Sequence, residues 1–241
     1  MTADANPGER TAAVLGRLLA IGDIHGCHIA FDTLLDHLAI MPSDTVVVVG
    51  DVIDRGPGTR QVIDRLLELR ERCRLILLLG NHEEMFLDSL TVEDVREPWL
   101  SFGGLETLIS YGEHAEDTGE LPADHIAFLR SGVDYFETDS TVFVHASLEP
   151  GRPLSEQTAE WLRWAKLTKH ELSLPSGQRV ICGHTAQKDG QVWVGNGWGC
   201  IDTFAYGGMF LTALDVGRGL VYQARQSGEF RGPTLLDAFR A

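Results

Sequence analysis

Basic residues are in short supply: 20 lysines and arginines stand against 35 aspartates and glutamates, a formal net charge of −15. A nucleic-acid backbone is bound through a cationic surface that releases counterions, so nucleic acid is not expected as a partner. No apolar run approaches the ~20 residues that cross a bilayer, and no membrane partner is expected either. Met1 to Arg10 is polar and lacks the basic-then-apolar order of a secretory signal, which points to a cytoplasmic protein. Cysteine is sparse. Cys27, Cys73, Cys182 and Cys200 form no C-x-x-C pair, which argues against a zinc finger or a disulfide framework and for buried free thiols. There is no internal repeat, low-complexity tract or linker, so the expectation is a single domain over 1–241, with a core of about 17–226 and peripheral ends at 1–16 and 227–241. A G-x-x-x-x-G-K phosphate loop is missing, and no Ser-His-Asp or Cys-His nucleophile is apparent.

What is present reads as an ordinary globular chain, 44% hydrophobic and 23% charged over 241 residues. Val46-Val47-Val48-Val49 is a run of β-branched residues suited to a strand buried on both faces. Leu18–Ile21, Leu75–Leu79, Thr141–Val144 and Arg179–Cys182 are further apolar strands. Helical spacing separates the first three, through Ile29, Leu34, Leu35 and Leu38, then through Val62, Ile63, Leu66, Leu67 and Leu69. Residues 83–131 read as mostly helical, with an exposed polar loop from Gly112 to Glu120 in which His114 is solvated. Helix spacing returns at Trp161, Leu162 and Ala165, where Trp161 and Trp164 are expected to pack. Short strands and hairpins follow around 195–197 and 217–219, and the last dozen residues read as a loosely held tail. This alternation is the signature of an α/β fold.

Five strands end in a residue able to bind metal: Asp23 with His25, Asp51, Asn81, His145 and His184, four of them preceded by glycine. In a sheet such ends lie side by side at the carboxyl edge. Imidazole, carboxylate and amide donors without thiolate suit Mn, Fe or Zn, whereas a Ca or Mg site would use oxygen ligands alone. Six ligands are too many for one catalytic ion that keeps an open position, but they divide between two, with Asp51 placed to bridge. Paired ions suit in-line displacement at phosphorus. His82, next to Asn81, is expected to point away from the metals while staying close, there to protonate a departing alkoxide; Asp54 would fix its tautomer. Arg55 offers a planar fork for two phosphoryl oxygens. The ordinary alternative for Asp54 and Arg55 is a mutual salt bridge.

Gly22-Asp23-Ile24-His25-Gly26, Gly50-Asp51-Val52-Ile53-Asp54-Arg55-Gly56 and Gly80-Asn81-His82-Glu83 resemble the three signature blocks of the phosphoprotein phosphatase class of metallophosphoesterases. His145-Ala146 and Gly183-His184-Thr185 resemble its two later histidine blocks. The resemblance implies a central β-sandwich of mixed sheets flanked by helices in four layers, with a dinuclear metal centre at one edge. It implies Asp23, His25 and Asp51 on the first metal, and Asp51, Asn81, His145 and His184 on the second. A metal-bridging hydroxide would attack phosphorus directly, with His82 and Asp54 as acid dyad and Arg55 on phosphate. Two divalent ions are expected, Mn ahead of Fe or Zn.

There are departures. Ser147 replaces the usual glycine. Where bacterial members carry W-x-R, Trp164-Ala165-Lys166 places a lysine, so Lys166 and nearby Arg163 are the candidates for a second phosphate contact. The D-R-G and N-H-E triplets favour a bacterial-type protein phosphatase acting on phosphoserine or phosphothreonine, with phosphotyrosine as a further substrate. The alternative is a symmetrical diadenosine tetraphosphatase, whose members often lack the acid before the arginine and tend to have Asp in place of Glu83. A remote alternative is an inactive phosphoprotein-binding module. A monomer is favoured.

Overall fold

The computed structural model describes residues 8–11, 16–112 and 121–240. The loop expected from Gly112 to Glu120, His114 included, lies outside the described residues apart from Gly112. Along the chain come β1 (Glu9–Arg10), β2 (Leu18–Ile21), α1 (His28–Leu38), β3 (Thr45–Val48), α2 (Thr59–Arg70) and β4 (Arg74–Leu77). Among the described residues four helices follow: α3 (Asn81–Ser89), α4 (Glu93–Trp99), α5 (Leu105–Tyr111) and α6 (Ala123–Arg130), with a π turn, Leu100–Gly104, between α4 and α5. The rest is mainly strand: β5 (Tyr135–Glu137), β6 (Thr141–Val144), β7 (Arg179–Cys182), β8 (Trp193–Gly195), β9 (Trp198–Cys200), β10 (Leu211–Asp215), β11 (Leu220–Ala224) and β12 (Phe230–Leu235).

The strands form two mixed sheets, ordered β1-β5-β6-β7-β9-β8 and β12-β11-β10-β2-β3-β4. Strand periodicity explains how they stack. Side chains alternate across a strand, so Val46 and Val48 of β3 enter the core beneath the helices, while Val47 and the following Val49 enter the core between the sheets. There they meet Phe136, Phe143 and Ile181 of the facing sheet. Helix α1 buries Ala30, Phe31, Leu34, Leu35 and Leu38, and α2 buries Val62, Ile63, Leu66 and Leu69, the three-and-four spacing of an apolar stripe. Each such fully buried aliphatic side chain contributes roughly 1.5–3 kcal/mol. The outer face of the other sheet is covered by Leu148, Leu162 and Leu167, from a segment with short helical turns at Leu154–Glu156 and Glu160–Trp164.

Two expectations are corrected. The helix expected around Trp161 is a single π turn, and Trp164 is 39% exposed rather than packed. The tail is not loose: β12 pairs antiparallel with β11 through a register shift between Val221 and Gln223. As an edge strand it is held by backbone hydrogen bonds and leaves much of its surface in solvent, so its sequence carries little apolar alternation to announce it.

Candidate metal centre

Strands β2, β3 and β4 run parallel, with Ile21 beside Val48 and Val48 beside Leu77, and so end at one edge. In the facing sheet β6, β7 and β9 are likewise parallel, Cys182 lying beside Cys200. The loops after these six strands supply Asp23 and His25, Asp51, Asn81, His145, His184, and Asp202. The two sheets come close here. Gly50, at φ +98°, has no room for a side chain, since a Cβ would lie 2.7 Å from Nδ1 of His145 and 2.8 Å from the amide of Gly80. His25, Asp51, Asp54, Arg55 and His184 all adopt positive φ, a backbone strain that clusters at functional sites.

The histidines are tied off from behind. Nδ1 of His25 donates to the carbonyl of Ile53 (2.9 Å), Nδ1 of His145 to that of Val49 (2.7 Å), and Nε2 of His184 to that of Trp164 (2.9 Å). Burial holds all three pKa values down, that of His184 to about 3 with help from His145, so the rings are neutral and their remaining nitrogens carry lone pairs. Those lone pairs face acceptors. Nε2 of His145 lies 3.2 Å from Oδ1 of Asn81 and 3.5 Å from Oδ1 of Asp51, while Nε2 of His25 lies 3.4 Å from Oδ2 of Asp51. Lone pairs converging in this way call for a cation between them, and the donor set fits the divalent ions expected from the sequence. Asp51 is common to both groups of close-set ligand atoms, His25-Asp51-His82 and Asp51-His145-His184, as a bridging carboxylate must be. Burial opposes its charge, but His145 and its companions hold its pKa below the ordinary value.

Asp23 accepts the amide of His184 on Oδ2 (2.9 Å), while its buried Oδ1 has no partner among the described residues. Burial, then Asp202 and Asp51, push its pKa well up. Asp202 itself is raised to about 6, chiefly by burial. A cation among these acids relieves that penalty.

His82 sits differently from expectation. Nδ1 faces Oδ2 of Asp54 at 2.6 Å, as expected, but Nε2 is buried and unpartnered among the described residues, and the ring has a nitrogen within 4.8 Å of the ligand atoms of His25 and Asp51. The ring therefore faces the centre rather than away from it. Asn81 and His82 begin a helix, where successive side chains turn by roughly 100° instead of alternating as in a strand. Burial works against a charged His82, yet Asp51 and Asp54 outweigh it and raise the pKa.

Asp54 is fully buried and spends its carboxylate on His82, on Nε1 of Trp99 (3.1 and 3.2 Å) and on the hydroxyl of Thr107 (2.8 Å). These contacts, not a bridge to Arg55, satisfy it. Nη1 of Arg55 lies 2.9 Å from Nε2 of His25, on the lone pair that a bound ion would take in its place, and its guanidinium lies 4.5 Å from the ring centre of Tyr206. Glu83 accepts the amides of Asp51 and Val52 (both 2.8 Å) and Gly80 (2.9 Å), clamping the loop after β3 to the start of α3. Burial, then Asp51, push Glu83 up to about 7.

A cavity of about 470 Å³ opens over the site, lined by Asp51, Asn81 and His184 together with Arg55, Lys166 and Lys188. Phe102, Trp164 and Tyr206 complete much of its wall. Lys166 stands in the cavity wall, its ammonium donating to the carbonyl of His184 (3.1 Å). Arg163 is not. Its guanidinium is buried against Asp134 (2.5 Å) and Glu84 (3.2 Å) and does not line the cavity, a correction to its expected contact with phosphate. Sequence reasoning left Trp99, Thr107, Lys188, Phe102 and Asp202 without a role. Only Asp202 carried a signal, since it follows a strand end like the other acids.

A model of the calcineurin-like phosphoesterase family matches residues 16–188. A symmetrical bis(5′-nucleosyl)-tetraphosphatase of Janthinobacterium sp. (strain Marseille) is 32% identical over 133 residues, which cover 54% of this chain and 43% of that protein. The chain thus matches less than half the length of this curated relative. A solved putative diadenosine tetraphosphatase superposes with a TM-score of 0.72 at 21% identity, covering 91% of this chain and 97% of the other. A protein serine/threonine phosphatase from Saccharomyces cerevisiae gives a TM-score of 0.61 at 13% identity, covering 92% and 84%. Both structures share the fold of two mixed sheets flanked by helices.

Proposed function

This chain belongs to the calcineurin-like phosphoesterase family, and from that premise we propose that it is a metal-dependent phosphohydrolase that splits dinucleoside tetraphosphates symmetrically into two nucleoside diphosphates. The observation that carries the reading is the charge of the cavity: Arg55, Lys166 and Lys188 all line it, in a chain of net charge −15. A polyphosphate bridge bears negative charge on every phosphate and uses several cations, whereas one phosphomonoester needs fewer. The curated relative carries this activity in its name. That reverses the order favoured by the D-R-G and N-H-E triplets, which put a protein phosphatase first.

Asp23, His25 and Asp51 would hold one divalent ion, and Asp51, Asn81, His145 and His184 the other. When bound, such a pair supplies Lewis-acid charge at the scissile phosphoryl group and makes water more acidic. Arg55 presents its planar fork to two phosphoryl oxygens, and the lysines act as point charges along the bridge. The oxygen of water forms the new bond to phosphorus and releases a proton to solvent as the bridging P–O bond breaks, and the departing nucleoside diphosphate keeps the electron pair. His82, held by Asp54, can deliver a proton from Nε2 to the departing oxygen.

That dyad also supports a second reading. An anhydride leaving group departs well without a proton, but a serine or threonine alkoxide needs one, so phosphoprotein hydrolysis is the competing activity. The two separate in a direct comparison with Mn-loaded enzyme. We expect a higher kcat/KM for diadenosine tetraphosphate than for a phosphoserine peptide, with ADP as the nucleotide product. The reverse order would put the phosphoprotein reading first, and AMP with ATP would contradict symmetrical cleavage.

A further inference from the structure

Two large rings at the mouth of the cavity have no role in the chemistry above. Phe102 is 56% exposed and Trp164 39%, while Trp99, Phe86 and Phe31 are buried in the core. Leaving such surface in water is costly, and rigid aromatic faces beside a cationic cavity invite a flat partner. Resting on the dinucleotide reading, we propose that Trp164 and Phe102 are the stacking surface for a nucleobase of the dinucleoside polyphosphate.

Both rings stand on backbone tied to the phosphate-handling residues. The carbonyl of Trp164 accepts the Nε2–H of His184 (2.9 Å), and its indole Nε1 donates to Oε2 of Glu84 (3.0 Å), which fixes the ring. The carbonyl of Gly103, next to Phe102, accepts the amide of Arg55 (3.0 Å). The distance from each ring to the phosphate subsite is therefore set by the fold. Tyr206, the third ring of the cavity, is already engaged by the Arg55 guanidinium and packs edge-on against His25 and Phe204, leaving the other two for the ligand. Stacking is tolerant of base identity, so the surface would discriminate nucleotides from inorganic polyphosphates and aryl phosphates rather than one purine from another.

The test uses the metal-loaded full chain with Trp164→Ala, Phe102→Ala and the double variant. The readouts are the ratio of kcat/KM for diadenosine tetraphosphate to that for p-nitrophenyl phosphate, and calorimetric ADP affinity. Loss of a base stack should lower both the ratio and the ADP affinity by about 10- to 100-fold, with Trp164→Phe recovering most of the loss. An unchanged ratio, whether the two activities stay level or fall together, would overturn the stacking role. So would unaltered ADP affinity. If the wild type hydrolyses phosphopeptide but not diadenosine tetraphosphate, the dinucleotide reading fails and the nucleobase surface with it. Unimpaired dinucleotide hydrolysis by the variants overturns the surface alone.

Discussion

His82 and Asp54 meet in a pocket closed to water, where the carboxylate is also held by Trp99 and Thr107. A proton on such a ring is worth most when the leaving group is poor. His82→Ala should therefore cut phosphopeptide turnover by ~10²–10⁴-fold, with a clearly smaller loss on diadenosine tetraphosphate. Metal analysis of the same variant should show its ion content kept; loss of the ions would place His82 among the ligands. The residues that follow apolar strands were legible one by one, because a strand ending in Gly and then Asp, Asn or His is a local pattern. Trp99, Thr107 and the clamp made by Glu83 were not. Their hydrogen bonds to the loop after β3 span 30 to 53 residues and leave no mark at any short spacing. Arg163 misled for a related reason: a motif position says nothing about Asp134, the partner that claims the guanidinium.

Among the elements, β3 and helices α1 and α2 could be read directly, since burial of both strand faces or of one helical stripe imposes a period on the sequence. The link between α4 and α5 could not. Its π turn contains Gly103 at φ +115°, which lets the chain turn back so that its carbonyl receives the Arg55 amide. A Cβ there would come within 2.8 Å of Arg55 as well as forcing strained backbone. Gly103→Ala is expected to cost about 1–3 kcal/mol in denaturant unfolding and to raise KM for phosphorylated substrates, because Arg55 moves with the strap. Unchanged stability and KM would show that the turn does not position Arg55. The tail went unread for the opposite reason, since an edge strand needs no buried face to form.

At the scale of the whole molecule, the sandwich brings the carboxyl ends of parallel strands from two sheets to one edge. Acids and neutral imidazoles far apart in the chain gather there, Asp23 and His184 meeting across 161 residues. This convergence was legible as a pattern of strand ends; the choice of substrate was not, because it depends on which cations and rings the loops leave facing the cavity. The account stands or falls on two ions sharing Asp51. Metal analysis by mass spectrometry of the purified, manganese-loaded chain should find two ions per chain, and fewer than one in Asp51→Asn, since that change weakens both positions. A wild type that takes up a single ion, or an Asp51→Asn variant that keeps two, would contradict it.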